Sequence, residues 1–329
     1  MIHRVAVIGL GNIAKRHREN LKLRFPDAIV LAMSASGRVV DETIKDADQI
    51  IDNLSALIEC KPNFVIVASP APFHAEHAIP LIQAGIPVLI EKPIAANVLD
   101  SDRLQEASRL HQVPVGVGYC LRYLSSAQKI KDILNDGLIG NVYNVFAQVG
   151  QYLPDWRVGK DYGQSVSANQ KLGGGALLEL SHELDYLYWL FGPLSLQYSQ
   201  LRNSNELDLD VEELADVVLT TNSGIVCNLH LDFLQKQTQR NCSIIGSKGR
   251  LDWDLIQNTI TLHTDAGDSA LYSSNLRDNN LMYLAMIDDF VALMNNANSD
   301  QQCITFKEAA QTVVLIEQIK RHATWGIKQ

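Results

Sequence analysis

Val5-Ala6-Val7-Ile8-Gly9-Leu10-Gly11-Asn12-Ile13-Ala14 is the stretch whose reading decides the fold. Four apolar residues without alternation read as a strand covered on both faces, as in a parallel sheet. Residues 12–24 follow in a helical pattern, so the glycines occupy a strand-to-helix turn. The dinucleotide fingerprint G-x-G-x-x-G/A requires that context: Gly9 permits the tight turn, Gly11 lets backbone approach a pyrophosphate, and small Ala14 lets helix and strand pack closely. The helix amino terminus at Asn12 and Ile13 offers N–H groups to the negative charge. Gly9, Gly11, Asn12, Ile13 and Ala14 are therefore candidate cofactor contacts.

The pattern continues outward. Ile29–Ala32, Phe64–Val67, Val88–Ile90 and Val115–Val117 are further apolar runs, alternating with helix-like segments at 52–59, 74–84 and 100–112. That order predicts a doubly wound α/β domain over 1–120. From about residue 121 the strands become longer and alternate, at 144–149, 216–221 and 224–230, with Asn222-Ser223-Gly224 as a hairpin turn. Helices are expected at about 176–190, 279–296 and 306–322. A second α/β domain with a large, mostly antiparallel open sheet is predicted over 121–329. No flexible linker separates the two, which predicts packed domains with a cleft between them.

Length and composition set the limits. A chain of 329 residues, 47% apolar and 20% charged, is that of a globular protein with two domains. A formal charge of −9 argues against a nucleic-acid partner. No apolar run reaches the roughly 20 residues of a membrane span. The start, Met1-Ile2-His3-Arg4-Val5, enters a strand at once, without the pattern of a signal peptide. Cysteines at 60, 120, 227, 242 and 303 are scattered and show no metal-ligand spacing. Reduced thiols, no metal and a cytoplasmic location are expected.

The second strand should end in an acid that holds the adenosine 2′-hydroxyl of NAD. Here it runs into Met33-Ser34-Ala35-Ser36-Gly37-Arg38 with no carboxylate. The hydroxyls of Ser34 and Ser36 and the guanidinium of Arg38 suit a 2′-phosphate, which favours NADP over NAD. The alternative is that Arg38 is a solvated loop charge.

Several short motifs then occur in register: Gly9–Ala14, Ser69-Pro70-Ala71-Pro72-Phe73-His74, Glu91-Lys92-Pro93-Ile94-Ala95 and Gly118-Tyr119-Cys120-Leu121-Arg122-Tyr123. Gly173-Gly174-Gly175 leads to His182-Glu183-Leu184-Asp185, and Gly246-Ser247-Lys248-Gly249 follows. Together they resemble the family of glucose-fructose oxidoreductase, inositol dehydrogenase and the rhizopine catabolism protein, through nearly the whole chain. The resemblance implies a Rossmann domain followed by a domain whose open sheet forms subunit contacts, and hence a homodimer or homotetramer. It implies oxidation or reduction at a sugar or cyclitol carbinol, and a cis peptide before Pro93. It adds Ser69, Pro70, His74, Glu91, Lys92, Pro93 and Arg122 to the cofactor side. The lysine and histidine that flank the nicotinamide in that family correspond to Lys92 and His182.

Such a reaction needs a base for the hydroxyl proton and a donor for the developing alkoxide. His182 and Lys92 are of the right types, and Lys92 follows a strand at the edge where open α/β sheets bind ligands. Many relatives carry an aspartate four residues before the histidine. Here the acid is Glu179, three residues before it, on the same face of a continuous helix. Asp185, three residues after it, is the rival partner.

On the substrate side, Tyr152, Trp156, Arg157 and Tyr162 interleave aromatics with a cation in a loop-like stretch. They suit stacking on a sugar or base and pairing with an anion, or else packing on the domain junction. Arg122 and Arg240 are further candidates for gripping an anionic group. The leading reading is an NAD(P)-dependent dehydrogenase of a sugar, cyclitol or nucleotide-sugar secondary alcohol. The alternatives are a non-catalytic cofactor-binding regulator and a redox-neutral lyase or glycosidase with tightly held NAD.

Overall fold

The computed structural model describes residues 1–40, 43–157, 159, 161–274, 280–295 and 305–326. The chain divides into two compact units, Met1–Cys120 with Tyr283–Val313, and Leu121–Met282 with Val314–Gln329.

In the first unit, β1 (Arg4–Ile8) leads to α1 (Asn12–Arg24) and β2 (Ile29–Met33). There follow β3 (Gln49–Ile51), α2 (Leu54–Glu59), β4 (Phe64–Val67), α3 (His74–Gln83), β5 (Val88–Ile90), α4 (Val98–His111) and β6 (Val115–Val117). The strands form one parallel sheet in the order β3-β2-β1-β4-β5-β6. Val5–Ile8 and Phe64–Val67 are fully buried, each Val or Ile contributing roughly 1.5–3 kcal/mol. The order reverses between β1 and β4, which opens the crevice where such sheets take ligands. Edge strand β3 was not foreseen, because its three residues are half-exposed and carry no long apolar run.

The turn after β1 depends on Gly9, whose φ is +119°. A Cβ there would stand 2.5 Å from the Ala68 carbonyl oxygen. The Gly9 N–H donates to the Met33 carbonyl at 2.8 Å, and the Ala68 N–H to the Ile8 carbonyl at 2.8 Å. The ends of β2, β1 and β4 are thus tied at the crevice.

The second unit contains α5 (Ser125–Asn135), β7 (Val142–Gly150), α6 (Ala176–Glu179), α7 (His182–Phe191), β8 (Leu194–Arg202), β9 (Leu214–Thr221) and β10 (Val226–Asp232). β11 (Gln239–Gly246), β12 (Gly249–Asp254), β13 (Thr259–Thr264) and β14 (Gly267–Ser273) complete this stretch. α8 (Leu281–Met294), α9 (Phe306–His322) and β15 (Thr324–Trp325) end the described chain. The sheet order is β14-β13-β12-β11-β7-β10-β9-β8-β15, antiparallel except at β7–β10 and β8–β15. The expected hairpin joins β9 and β10 through Gly224, at φ +86°. Buried Trp253 donates its indole N–H to Ser126 at 2.8 Å and meets the edge of Tyr186 at 5.2 Å between centroids.

Two expectations need correction. The helix expected at 176–190 is two helices, broken at Leu180 and Ser181. The expected second domain over 121–329 is not one continuous stretch, since residues 283–313 return to the first unit. There Met286, Ile287 and Phe290 are buried, with Phe290 edge-on to Phe64 at 5.7 Å. The far ends of the 279–296 helix and Cys303 lie outside the described residues. Cys60, Cys120, Cys227 and Cys242 are reduced thiols, and burial pushes Cys227 up to about 12.

Gly9→Ala should lower stability by about 2 kcal/mol or more, from left-handed strain and the Ala68 contact together. Thermal unfolding of the purified variant reads the loss directly; an unchanged melting midpoint would contradict this account of the turn.

Candidate active site

The glycine turn fits a dinucleotide. A Cβ at Gly11 would meet nothing within 4 Å, so the space above it is open. The first turn of α1 holds no acidic side chain and its amino terminus carries no side-chain cap, so its orphan N–H groups suit a pyrophosphate. Ala14 is fully buried and faces Gly9, as close packing requires. Arg18, which sequence reasoning passed over, is buried beneath the turn and donates to the Gly9 carbonyl at 3.3 Å and the Lys45 carbonyl at 3.1 Å. Burial lowers its pKa, with nearby Asp46 and Glu19 opposing that effect.

At the end of β2 the Ser34 and Ser36 hydroxyls lie 3.2 Å apart, and Arg38 is exposed. Ser69, at the end of β4, has its hydroxyl 3.0 Å from His77 Nδ1. Burial is the main reason the pKa of His77 is lowered. His77 was missed because a lone histidine within a helix carries no motif. Pro70 opens the short turn Ala71–Phe73.

His74 does not face open space. It is 1% exposed, with Nε2 2.8 Å from the Ser69 carbonyl and Nδ1 2.9 Å from the Pro93 carbonyl. It braces two loops. Glu91 is buried and bonded in a similar way. Its Oε1 lies 2.6 Å from His17 Nε2, and its Oε2 accepts the Lys92 N–H at 3.1 Å. Burial pushes the Glu91 carboxyl up, but the His17 hydrogen bond, the charge of His17 and Lys92 outweigh it and hold the pKa below its usual value. His17 is itself fully buried, with Tyr283 edge-on at 6.1 Å. Lys92 lies two residues beyond the end of β5 and is half-buried. The peptide between Lys92 and Pro93 is cis.

In the second unit, Gly174 is pressed against the Ser167 and Val166 carbonyls, where a Cβ would stand at 2.6 Å from each. This fold of the loop carries Ser167 to Glu179, and its hydroxyl donates to Glu179 Oε2 at 2.9 Å. Glu179 ends α6 and His182 begins α7. They stand on either side of the break, so the continuous helix expected to carry both is not formed.

Asp185 is paired with Arg122. Both its oxygens accept from Arg122, at 3.0 and 2.8 Å, with side chains 1% and 2% exposed. Arg122 is thereby a buried, ion-paired member of the second unit. Arg240 likewise makes a two-pronged pair with fully buried Glu183, at 2.7 and 2.8 Å. Glu183 was missed because its partner lies 57 residues away.

The loop aromatics pack on the second unit's core. The Trp156 ring meets Phe233 at 5.4 Å, and its N–H donates to the Gln151 carbonyl at 3.3 Å. The Tyr162 hydroxyl donates to the Leu207 carbonyl at 3.3 Å, while Lys236 Nζ stands 3.1 Å from the centroid of Tyr152. Trp156 and Tyr162 thus pack within the second unit, while Tyr152 carries a cation on its face. The Arg157 side chain lies outside the described residues. Among the described residues no cluster of His, Cys, Asp or Glu could hold a metal, and no helix is long and apolar enough to cross a membrane.

Comparison with known proteins agrees with this architecture. Residues 3–119 match the model of an oxidoreductase family with an NAD-binding Rossmann fold, and residues 127–252 match the GFO/IDH/MocA C-terminal domain. This chain belongs to the GFO/IDH/MocA family of NAD-binding oxidoreductases. It is 27% identical to a myo-inositol 2-dehydrogenase of Thermotoga maritima, over 80% of this chain and 78% of that protein. It is 29% identical to an uncharacterised oxidoreductase of Synechocystis, over 65% of this chain and 56% of that protein. Two solved structures share the fold. Levoglucosan dehydrogenase in complex with NADH has a TM-score of 0.84 at 17% identity, covering 98% of this chain and 96% of that one. The WlbA dehydrogenase of Bordetella pertussis, in complex with NADH and UDP-GlcNAcA, has a TM-score of 0.80 at 19% identity, covering 98% and 95%.

Because the folded pKa of Glu91 is depressed, its carboxylate adds stability above its usual value of 4.5. That contribution is lost as pH falls through the folded value. Glu91→Gln should therefore lose less of its thermal stability between pH 7 and pH 3 than the wild type. Equal losses would mean that the His17 contact does not hold the carboxylate.

Proposed function

We propose that this chain moves a hydride between a nicotinamide cofactor and a secondary alcohol of a sugar, a cyclitol or a nucleotide sugar. The observation that carries the reading is Lys92, held by its own backbone N–H on the buried Glu91–His17 pair at the carboxyl edge of the parallel sheet. A bound nicotinamide supplies the hydride acceptor or donor. The Lys92 ammonium donates to the oxygen of the reacting carbinol and stabilises the charge that develops there. His182 takes the hydroxyl proton during oxidation and returns it during reduction, a task suited to the side chain that ordinarily titrates nearest neutrality. Glu179, fixed by Ser167, is a candidate for a substrate hydroxyl.

The names of relatives support the substrate class. They include inositol 2-dehydrogenases, a D-glucoside 3-dehydrogenase of Escherichia coli and a glucose-6-phosphate 3-dehydrogenase of Bacillus subtilis. We infer NADP as the preferred cofactor from the Ser34–Ser36 hydroxyl pair and the Arg38 cation after β2, in a stretch with no carboxylate between 34 and 38. A homodimer or homotetramer built on the second unit's sheet accords with exposed Phe146 and Tyr198 on its strands.

A panel of inositols, free sugars and nucleotide sugars with each cofactor, followed at 340 nm, tests the reading. Lys92→Met should abolish turnover while cofactor affinity stays within about threefold, since the lost donor acts in the transition state; normal turnover would sink the assignment. Arg38→Ala should weaken NADPH binding at least about tenfold and leave NADH binding nearly unchanged. Equal effects on the two cofactors would remove the 2′-phosphate argument.

A further inference from the structure

α7 starts immediately after the break at Leu180 and Ser181, and its amino terminus has no side-chain cap. Two ion pairs act on that first turn. Arg240, from β11, grips Glu183 through Nε and Nη2 at 2.7 and 2.8 Å. Arg122 grips Asp185 through the same two atoms at 3.0 and 2.8 Å. Around the helix axis, residue 182 lies between the two gripped positions.

Successive residues sit about 100° apart around a helix axis, so Glu183 lies about 100° to one side of His182 and Asp185 about 60° to the other. Leu184, Tyr186 and Leu187 bury one side of this helix in the core, and a single polar anchor would resist roll in one direction only. With anchors on both flanks, a roll in either direction pulls one pair apart. The Arg122 guanidinium also stands 5.7 Å from the ring centroid of Trp189, one turn beyond Asp185 on the same side.

Stability does not account for these pairs. Arg122 and Asp185 are 2% and 1% exposed and Glu183 is fully buried. At such sites a well-packed apolar pair of equal volume is often as stable, or more so. What apolar side chains lack is direction: the planar guanidinium fork fixes both the distance and the plane of the carboxylate it meets.

The geometry points to Arg122–Asp185 and Arg240–Glu183 as a two-sided clamp that sets the rotational phase of α7 and so the aim of the His182 imidazole. Both arginines are positioning residues, and the inference rests on His182 being the group that handles the proton. Misplacing a reacting group by about 1 Å costs on the order of a hundredfold in rate, so small rolls of α7 matter.

The test replaces each pair by apolar side chains, Arg240→Met with Glu183→Leu and, separately, Arg122→Met with Asp185→Leu. The expected result has three parts. Melting midpoints stay near the wild-type value. The His182 ring signals shift in a ¹H–¹³C spectrum of histidine-labelled protein, identified by their loss in His182→Gln. Turnover on the best substrate of the panel falls about tenfold or more in kcat with KM little changed. Should a double variant fail to fold, Arg240→Lys keeps the charge but not the fork, and the same spectrum and kinetics decide the question. Unmoved His182 signals in a folded variant overturn the clamp. A rise in KM with unchanged kcat makes Arg240 a substrate contact instead and overturns its part in the clamp. If no alcohol is oxidised by the wild type, the functional reading falls, while the His182 spectrum still decides the clamp.

Discussion

The contact between His17 and Glu91 joins two parts of the first unit that the chain keeps far apart. His17 lies one helical turn beyond the glycine turn, on the helix whose amino terminus suits a pyrophosphate. Glu91 follows β5 directly and precedes Lys92. At 2.6 Å, with both side chains buried, the contact couples the orientation of α1 to the backbone at Lys92. A charge-assisted bond in so dry a setting is short and directional. Tyr283 packs edge-on against the far side of His17, so the helix following the second unit's long sheet stretch completes the surroundings of this bond. The close approach of Gly9 to Ala68 serves the same end, since it lets α1 start where His17 can reach.

The second unit solves a comparable problem with charge. His182 starts a helix that follows a break, where fraying is ordinarily greatest. Glu183 and Asp185 place negative charge in the first turn, where the helix dipole favours it. Each is then neutralised by an arginine from a distant part of the unit. A buried carboxylate without such a partner would cost several kcal/mol, so these acids and their arginines stand or fall together. The loop after β7 follows a different rule: Trp156 and Tyr162 pack on the core and bond to backbone carbonyls, which gives the loop a fixed shape.

Much of this was legible in the residues. The β1, β4, β5 and β6 runs stand out because a strand buried on both faces cannot hide its apolar character, and the Asn222-Ser223-Gly224 hairpin has the chemistry of its turn. The fingerprint at Gly9 and Gly11 is local, and so was read correctly. The reading failed where contacts are long-range. Nothing in the spacing of Glu179 and His182 announces a helix break, because Leu180 and Ser181 are both compatible with a helix. Nothing near Glu91 announces His17, which is 74 residues away.

The sequence by itself determined the doubly wound first unit, the place where a dinucleotide can bind and the types of side chain suited to the reaction. Periodicity, glycine conformation and motif order are properties of short stretches, and short stretches carry them whole. Only the tertiary structure decided which charges are partners and which are free to act. It spent Asp185 on Arg122, Arg240 on Glu183, and both His74 and Glu91 on bracing the loops around Lys92. Burial makes each of those pairings obligatory, and burial is known only once the whole chain has folded.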